Sequence, residues 1–130
     1  MTCNIRSLNK NFDELETITK EYKPLIICLC EVFRPYEPLV DLKGHHPILT
    51  KLRPANLKGG GAALYVSRLV KYERLEVFDH LKLDCIEVVA AIVSLNNQEA
   101  VTILSVYRPP GSNQNDTIKD LELILRELGN

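Results

Sequence analysis

Four short stretches of the chain hold residue types that can do chemistry. The first is Asn4-Ile5-Arg6-Ser7-Leu8, close to the start. The second is Glu31, the only charge adjoining the apolar stretch 25–30, so that a strand ends on a carboxylate. Ligands of α/β sheets gather at the C-terminal edges of strands, and Mg²⁺ is held by one or two carboxylates while keeping several waters. A solvated strand end is the plainer account of Glu31 taken alone. The third is Gly59-Gly60-Gly61, ahead of Ala62-Ala63-Leu64-Tyr65-Val66. A glycine triplet can cradle a phosphate, but no Lys-Ser or Lys-Thr follows it as in a P-loop, so a tight approach to a strand is the simpler reading. The fourth is Tyr107-Arg108-Pro109-Pro110 after an apolar run. Two prolines stiffen the exit and can aim the phenol and guanidinium out of the sheet, where Arg108 can pair with a phosphate and Tyr107 can donate to one. A surface turn explains this stretch nearly as well.

Other candidates are weaker. His45 and His46 fall in a loop and His80 follows Asp79, and each reads as a surface residue. Cys28-x-Cys30 lacks the second pair that a zinc site needs. Lys51, Arg53 and Lys58 form a run of cations that can touch a nucleic-acid backbone, although a solvated loop is simpler.

These residues need elements to position them. Leu8, Phe12, Leu15, Ile18 and Tyr22 recur at helical spacing, with Asp13, Glu14 and Glu16 complementing the helix dipole, Asn9 or Asn11 as cap and Pro24 as stop. Ile118, Leu121, Leu125 and Leu128 make one face of a second helix beginning near Asn115 or Asp116, with Gly129 behind its last turn. Between the helices, stretches 25–31, 62–66, 85–95 and 101–107 are rich in Val, Ile and Leu, and read as strands. Several are continuously apolar rather than alternating, which predicts a sheet covered on both faces. Asn96-Asn97 suits a hairpin turn. Stretch 32–47, with Pro35, Pro38, Gly44 and Pro47, reads as an irregular connection. The order is β-α-β-loop-β-β-β-β-α in a single unit, residues 1–130, without repeat or linker.

Bulk composition sets outer bounds. Sixteen basic and seventeen acidic residues among 130 give a net charge of −1, which argues against nucleic-acid binding by bulk electrostatics but leaves local grip on a phosphate open. The four cysteines sit in or near apolar runs and read as buried free thiols rather than bridges. No signal-like or membrane-spanning run is present, so the expectation is an intracellular protein, nuclear or cytoplasmic, with no membrane partner.

Taken in order, Asn-Ile-Arg-Ser-Leu, a helix, an apolar strand ending in Glu, the Gly-Gly-Gly-Ala-Ala-Leu-Tyr-Val run and a strand ending Tyr-Arg-Pro-Pro-Gly-Ser resemble one family along essentially the whole chain. It is the endonuclease/exonuclease/phosphatase superfamily, in the apurinic-endonuclease-like branch of non-LTR retrotransposons of the LINE, jockey and CR1 kind. The resemblance implies an α/β (α+β) fold, a partial four-layer α/β sandwich with mostly antiparallel sheet and two flanking helices. It implies Mg²⁺ or Mn²⁺ as cofactor and DNA as substrate, nicked by phosphodiester hydrolysis. By the same resemblance Asn4 organises the metal site, Glu31 ligates the metal, Tyr107 contacts the scissile phosphate, and Arg108 is a substrate contact.

The family's Gly-Asp-Phe-Asn motif should follow the second helix, and a later Ser-Asp-His motif should supply the general base; neither occurs in this sequence. The resulting expectation is the N-terminal half of the domain, its first strand clipped, about one sheet present, and no activity as this chain. An unpartnered inner sheet face would then leave the fold marginally stable and open to self-association. Two alternatives stand beside the nuclease: a non-catalytic interaction module made from half the domain, and a phosphatase or lipid phosphodiesterase of the same superfamily.

Overall fold

The computed structural model describes residues 1–33, 40–53, 59–96 and 99–129. Period-two burial organises it. In β2 (Ile26–Cys30), Ile27 and Leu29 face one way and Ile26, Cys28 and Cys30 the other. In β4 (Ala62–Val66), Ala63 and Tyr65 join the first set while Ala62 and Leu64 join the second. The two strands pair antiparallel, with β1 (Thr2–Asn4) added in parallel outside β2 and β3 (Leu49–Lys51) antiparallel outside β4. A second sheet comprises β5 (Lys71–Arg74), β6 (Glu87–Leu95) and β7 (Glu99–Tyr107), antiparallel throughout.

The two sheets pack face to face. Leu49, Ala62 and Leu64 meet Val89, Ala91 and Tyr107 between them. The outer face of the first sheet is covered by Leu15 of α1 (Phe12–Tyr22), with Ile5, Leu8, Val32 and Leu42. The outer face of the second, with Val88 and Ala90, lies under Phe78 of α2 (Val77–His80) and Ile124 of α3 (Gln114–Leu128). The result is helix, sheet, sheet, helix: a four-layer α/β sandwich in which a central strand such as β4 is buried along its whole length. Such strands must read as continuous apolar runs, as they do here.

Two expectations are corrected by this packing. The described residues form two sheets rather than one, and the inner face of each packs against the other. A stripe of exposed apolar side chains lies on α3. Ile118, Leu121, Leu125 and Leu128, read as that helix's packing face, are all exposed, Leu125 at 65%. The side facing the sheet is Thr117, Asp120 and Ile124, with Asp120 only 1% exposed.

The first helix is shifted likewise. Leu8 precedes it, Leu15 and Thr19 carry its buried side, and Ile18 and Tyr22 are exposed. Asn11 stands at its N-cap without a capping hydrogen bond; its Nδ2 donates to the carbonyls of Ile5 and Arg6, holding the loop behind β1. Lys23, left-handed at φ 46°, closes the helix just before Pro24. The cap of α3 is Asn113, whose side chain accepts from Asn115 and Asp116.

Asn96 has the positive φ that a tight β6–β7 connection requires, while Asn97 lies outside the described residues. In the connection 32–47, residues 34–39, including Pro35 and Pro38, also lie outside them. All four cysteines are free thiols, half-buried rather than buried. His80 is exposed, but His45 is buried, its Nδ1 bonded to the Lys43 carbonyl, and His46 Nε2 meets the Val70 carbonyl at 3.0 Å. No helix among the described residues is long and apolar enough to cross a membrane.

Candidate active site

The C-terminal ends of β1, β2 and β7 lie at one rim of the sandwich. Parallel pairing sets Asn4 opposite Cys30, one position before Glu31. Beyond the strands the chains stay tied: Ile5 N–H donates to the Cys30 carbonyl at 3.0 Å and Ser7 N–H to the Glu31 carbonyl at 2.8 Å. Arg6, Ser7, Glu31 and Phe33 all have positive φ, between 46° and 84°. Non-glycine residues rarely hold that conformation, and such clusters gather where backbone strain serves function.

The glycine triplet sustains this geometry. Gly61 accepts the Glu31 N–H at 2.9 Å and Gly60 accepts the Phe33 N–H at 3.0 Å, which prolongs the β2–β4 ladder past Cys30 in irregular form. All three glycines have φ between 70° and 91°. A Cβ on Gly61 would lie 2.6 Å from Val32 Cγ2, and one on Gly60 would lie 2.2 Å from Arg53 Nε. The triplet is therefore a close backbone approach, as the absence of a P-loop signature suggested.

Tyr107 reaches this rim from the other sheet. Its hydroxyl donates to Glu31 Oε1 at 3.2 Å, across 76 positions of sequence. Burial first, and then the hydrogen bond to Glu31, raise the phenol above its ordinary range, only partly opposed by Arg53. The group therefore remains a neutral donor throughout the physiological range.

Arg108 follows a different course. It is exposed, and its Nη2 donates to the Ser112 carbonyl at 3.0 Å, inside the turn that Pro109 begins. Strand alternation explains the split: with Tyr107 turned inward toward the sheet interface, its neighbour must turn out. Asn4, also exposed, is brought to the rim by the register described above.

Sequence reasoning missed two members of the group. Arg53, read as part of a solvated loop, pairs through Nε with Glu87 Oε2 at 2.9 Å, and its Cζ stands 5.9 Å from the Tyr107 ring centroid. Glu87 opens β6 directly opposite Tyr107, and its Oε1 accepts the Gly61 N–H. Lys51 is engaged too, donating to the Asp79 carbonyl, whereas Lys58 lies outside the described residues. The one available hint was Glu87 itself, an acid opening a long apolar strand.

The donors present suit a hard cation: a carboxylate at Glu31 and an amide oxygen at Asn4. A carboxylate offers about four lone-pair sites, so the hydrogen bond from Tyr107 leaves room for a metal. Among the described residues no group of three or more His, Cys, Asp or Glu side chains comes together to form a richer metal nest. Any ion held here would keep most of its waters.

No family model matches the chain, and no curated protein is detectably similar to it in sequence.

Proposed function

We propose that the chain carries a metal-dependent phosphodiesterase site of the endonuclease/exonuclease/phosphatase kind, with DNA nicking as its ancestral reaction. One observation carries this reading. The glutamate and tyrosine singled out by separate motifs, one just past the end of β2 in the first sheet and one at the end of β7 in the second, share a hydrogen bond. Unrelated motifs have no reason to meet in this way.

In this reading Glu31 and Asn4 hold Mg²⁺ or Mn²⁺, which when bound supplies Lewis-acid polarisation of a phosphoryl oxygen. Tyr107, kept protonated, donates to a phosphate oxygen and helps hold the diester against the rim. Among the described residues no His or Asp side chain hydrogen-bonds to the Glu31–Tyr107 pair. General-base help, typically worth about 10²–10⁴-fold, is therefore missing from this group, and the chain is expected to bind better than it turns over.

The test is paramagnetic. Mn²⁺ titrated into the labelled chain should broaden the Glu31 and Tyr107 resonances first, and Glu31→Gln should abolish that selectivity. Residual nicking of supercoiled plasmid in Mg²⁺ should disappear in the same variant. Broadening spread evenly over surface carboxylates, or nicking that survives Glu31→Gln, would end this reading.

A second reading, a non-catalytic interaction module that pairs with a copy of itself, draws on the exposed stripe of α3. Ile118, Leu121, Leu125 and Leu128 follow the 3-4-3 spacing of a coiled-coil seam. Sedimentation of a concentration-dependent dimer abolished by Leu121→Lys would favour it, and a monomer at all concentrations would dismiss it.

A further inference from the structure

Strand alternation puts Glu87 on the same side of β6 as Val89 and Ala91, facing the first sheet. A carboxylate withdrawn to 13% exposure on that face is costly unless donors meet it. Both of its oxygens are met. Oε1 accepts the N–H of Gly61, just ahead of β4, and Oε2 accepts Nε of Arg53 at 2.9 Å. The Gly61 carbonyl in turn accepts the N–H of Glu31 at 2.9 Å. A Cβ on Gly61 would lie 2.6 Å from Val32 Cγ2, so this peptide is held by hydrogen bonds rather than by a packed side chain. Glu87 also stands directly opposite Tyr107 in the β6–β7 ladder. One residue therefore has its main chain beside the phenol and its side chain on the peptide that presents Glu31.

We propose that Glu87 is the positioning residue of this rim: acting through the Gly61 peptide, it fixes where the Glu31 carboxylate meets the Tyr107 hydroxyl and leaves one Glu31 oxygen to a divalent cation. The proposal rests on the phosphodiesterase reading above and adds to it the residue that holds the metal ligand in place. The hydrogen bond from Tyr107 uses Glu31 Oε1, and Oε2 accepts from none of the described residues. Glu87, with both oxygens engaged, supports the ligand and is not itself one. Groups that orient a metal ligand in this way typically govern metal affinity by about 10–100-fold. The Glu87 charge bears on Tyr107 as well. Burial first and the Glu31 contact next raise that phenol, and Glu87 adds to them.

The experiment follows two signals in the whole chain: the Mn²⁺ concentration that half-broadens the Glu31 side-chain resonance, and the titration midpoint of Tyr107 ¹³Cζ. Glu87→Ala should raise the Mn²⁺ midpoint roughly tenfold. Glu87→Gln keeps an amide oxygen for the Gly61 N–H and should hold that midpoint within about twofold, while the lost charge lowers the Tyr107 titration. General loosening of the fold would move both signals in both variants together. In the Glu87→Ala background, Glu31→Gln should shift Tyr107 by less than about half of its effect in the wild-type chain, because the two groups no longer meet. If Glu87→Ala fails to fold, Glu87→Asp keeps the charge but shortens the reach, and carries the same two expectations. An Mn²⁺ midpoint untouched by Glu87→Ala overturns this proposal and leaves the phosphodiesterase reading standing. Absence of selective broadening in the wild-type chain ends that reading, and full coupling of Glu31 to Tyr107 in the Glu87→Ala background then overturns this proposal as well.

Discussion

The carboxylate of Asp120, on α3, accepts the backbone N–H of Ile86 at 2.8 Å, at the threshold of β6. The same carboxylate accepts the N–H groups of Asp84 and Cys85, also at 2.8 Å, so a side chain of the helix packed on the outer face of this sheet clamps the strand's entry. Burial alone would raise its pKa, but the three backbone donors prevail and hold it below the ordinary carboxylate range. A depressed folded pKa means that this contribution to stability is present above the unfolded value of about 3.9 and is lost as pH falls through the folded value. Asp120→Ala should cost about 2–5 kcal/mol at pH 7 in denaturant titrations, because it strands buried donors. Asp120→Asn should also flatten the loss of stability on the acid side, and an unchanged acid limb would contradict the clamp.

Tyr107 gives the opposite sign. Its folded pKa is raised, so its contribution is present below an unfolded value of about 10 and is lost as pH climbs through the folded one. Carbon-13 labelling at tyrosine Cζ should show Tyr107 ionising above the ordinary tyrosine value of about 10. Glu31→Gln removes the acceptor charge and should bring the Tyr107 titration down toward that ordinary value. A midpoint indifferent to Glu31 would mean that the pair does not form.

The glycines make a graded series. Gly60→Ala and Gly61→Ala meet both a positive φ and a collision, and each is expected to cost roughly 2–4 kcal/mol. Gly44→Ala and Gly111→Ala have a positive φ but open space around the new methyl group, and should cost only about 1 kcal/mol. Urea midpoints for the four variants would test the ordering, and equal losses would refute it.

Helix α3 offers a comparison of neighbours. Ile124→Ala, on the sheet-facing side at 4% exposure, should destabilise by about 2–4 kcal/mol. Leu125→Ala, one residue on and largely in solvent, should stay within about 0.5 kcal/mol. Reversed magnitudes in thermal melts would show the helix rotated about its axis.

That helix also shows how sequence patterns mislead. Ile118, Leu121, Leu125 and Leu128 give a clean helical period, yet the buried set Thr117, Asp120 and Ile124 has a similar spacing and a polar centre. Hydrophobic patterning cannot anticipate a carboxylate buried by three backbone donors, because those donors come from residues 34–36 positions away. The long apolar strands were legible as apolar runs: β4, covered on both faces, was read with its observed bounds, and β6 and β7 differ only at their N-terminal ends. The strands β3 and β5 were not, being only three and four residues long and carrying Lys51, Lys71, Glu73 and Arg74 in place of an apolar run. At the rim, Glu31 and Tyr107 each close an apolar strand and could be picked out one at a time. Arg53 and Glu87 gain their meaning only from each other, 34 positions apart.

The 76 positions between Glu31 and Tyr107 also order events in time. A contact so remote along the chain cannot form within any one hairpin, and topologies dominated by such contacts fold in milliseconds to seconds rather than microseconds. The loop-closure entropy of the site is recovered only when the two sheets dock. An intermediate with either sheet formed alone would therefore hold every rim residue of that sheet and no assembled rim. The tyrosine hydroxyl should acquire its acceptor among the last events of folding and lose it among the first of unfolding.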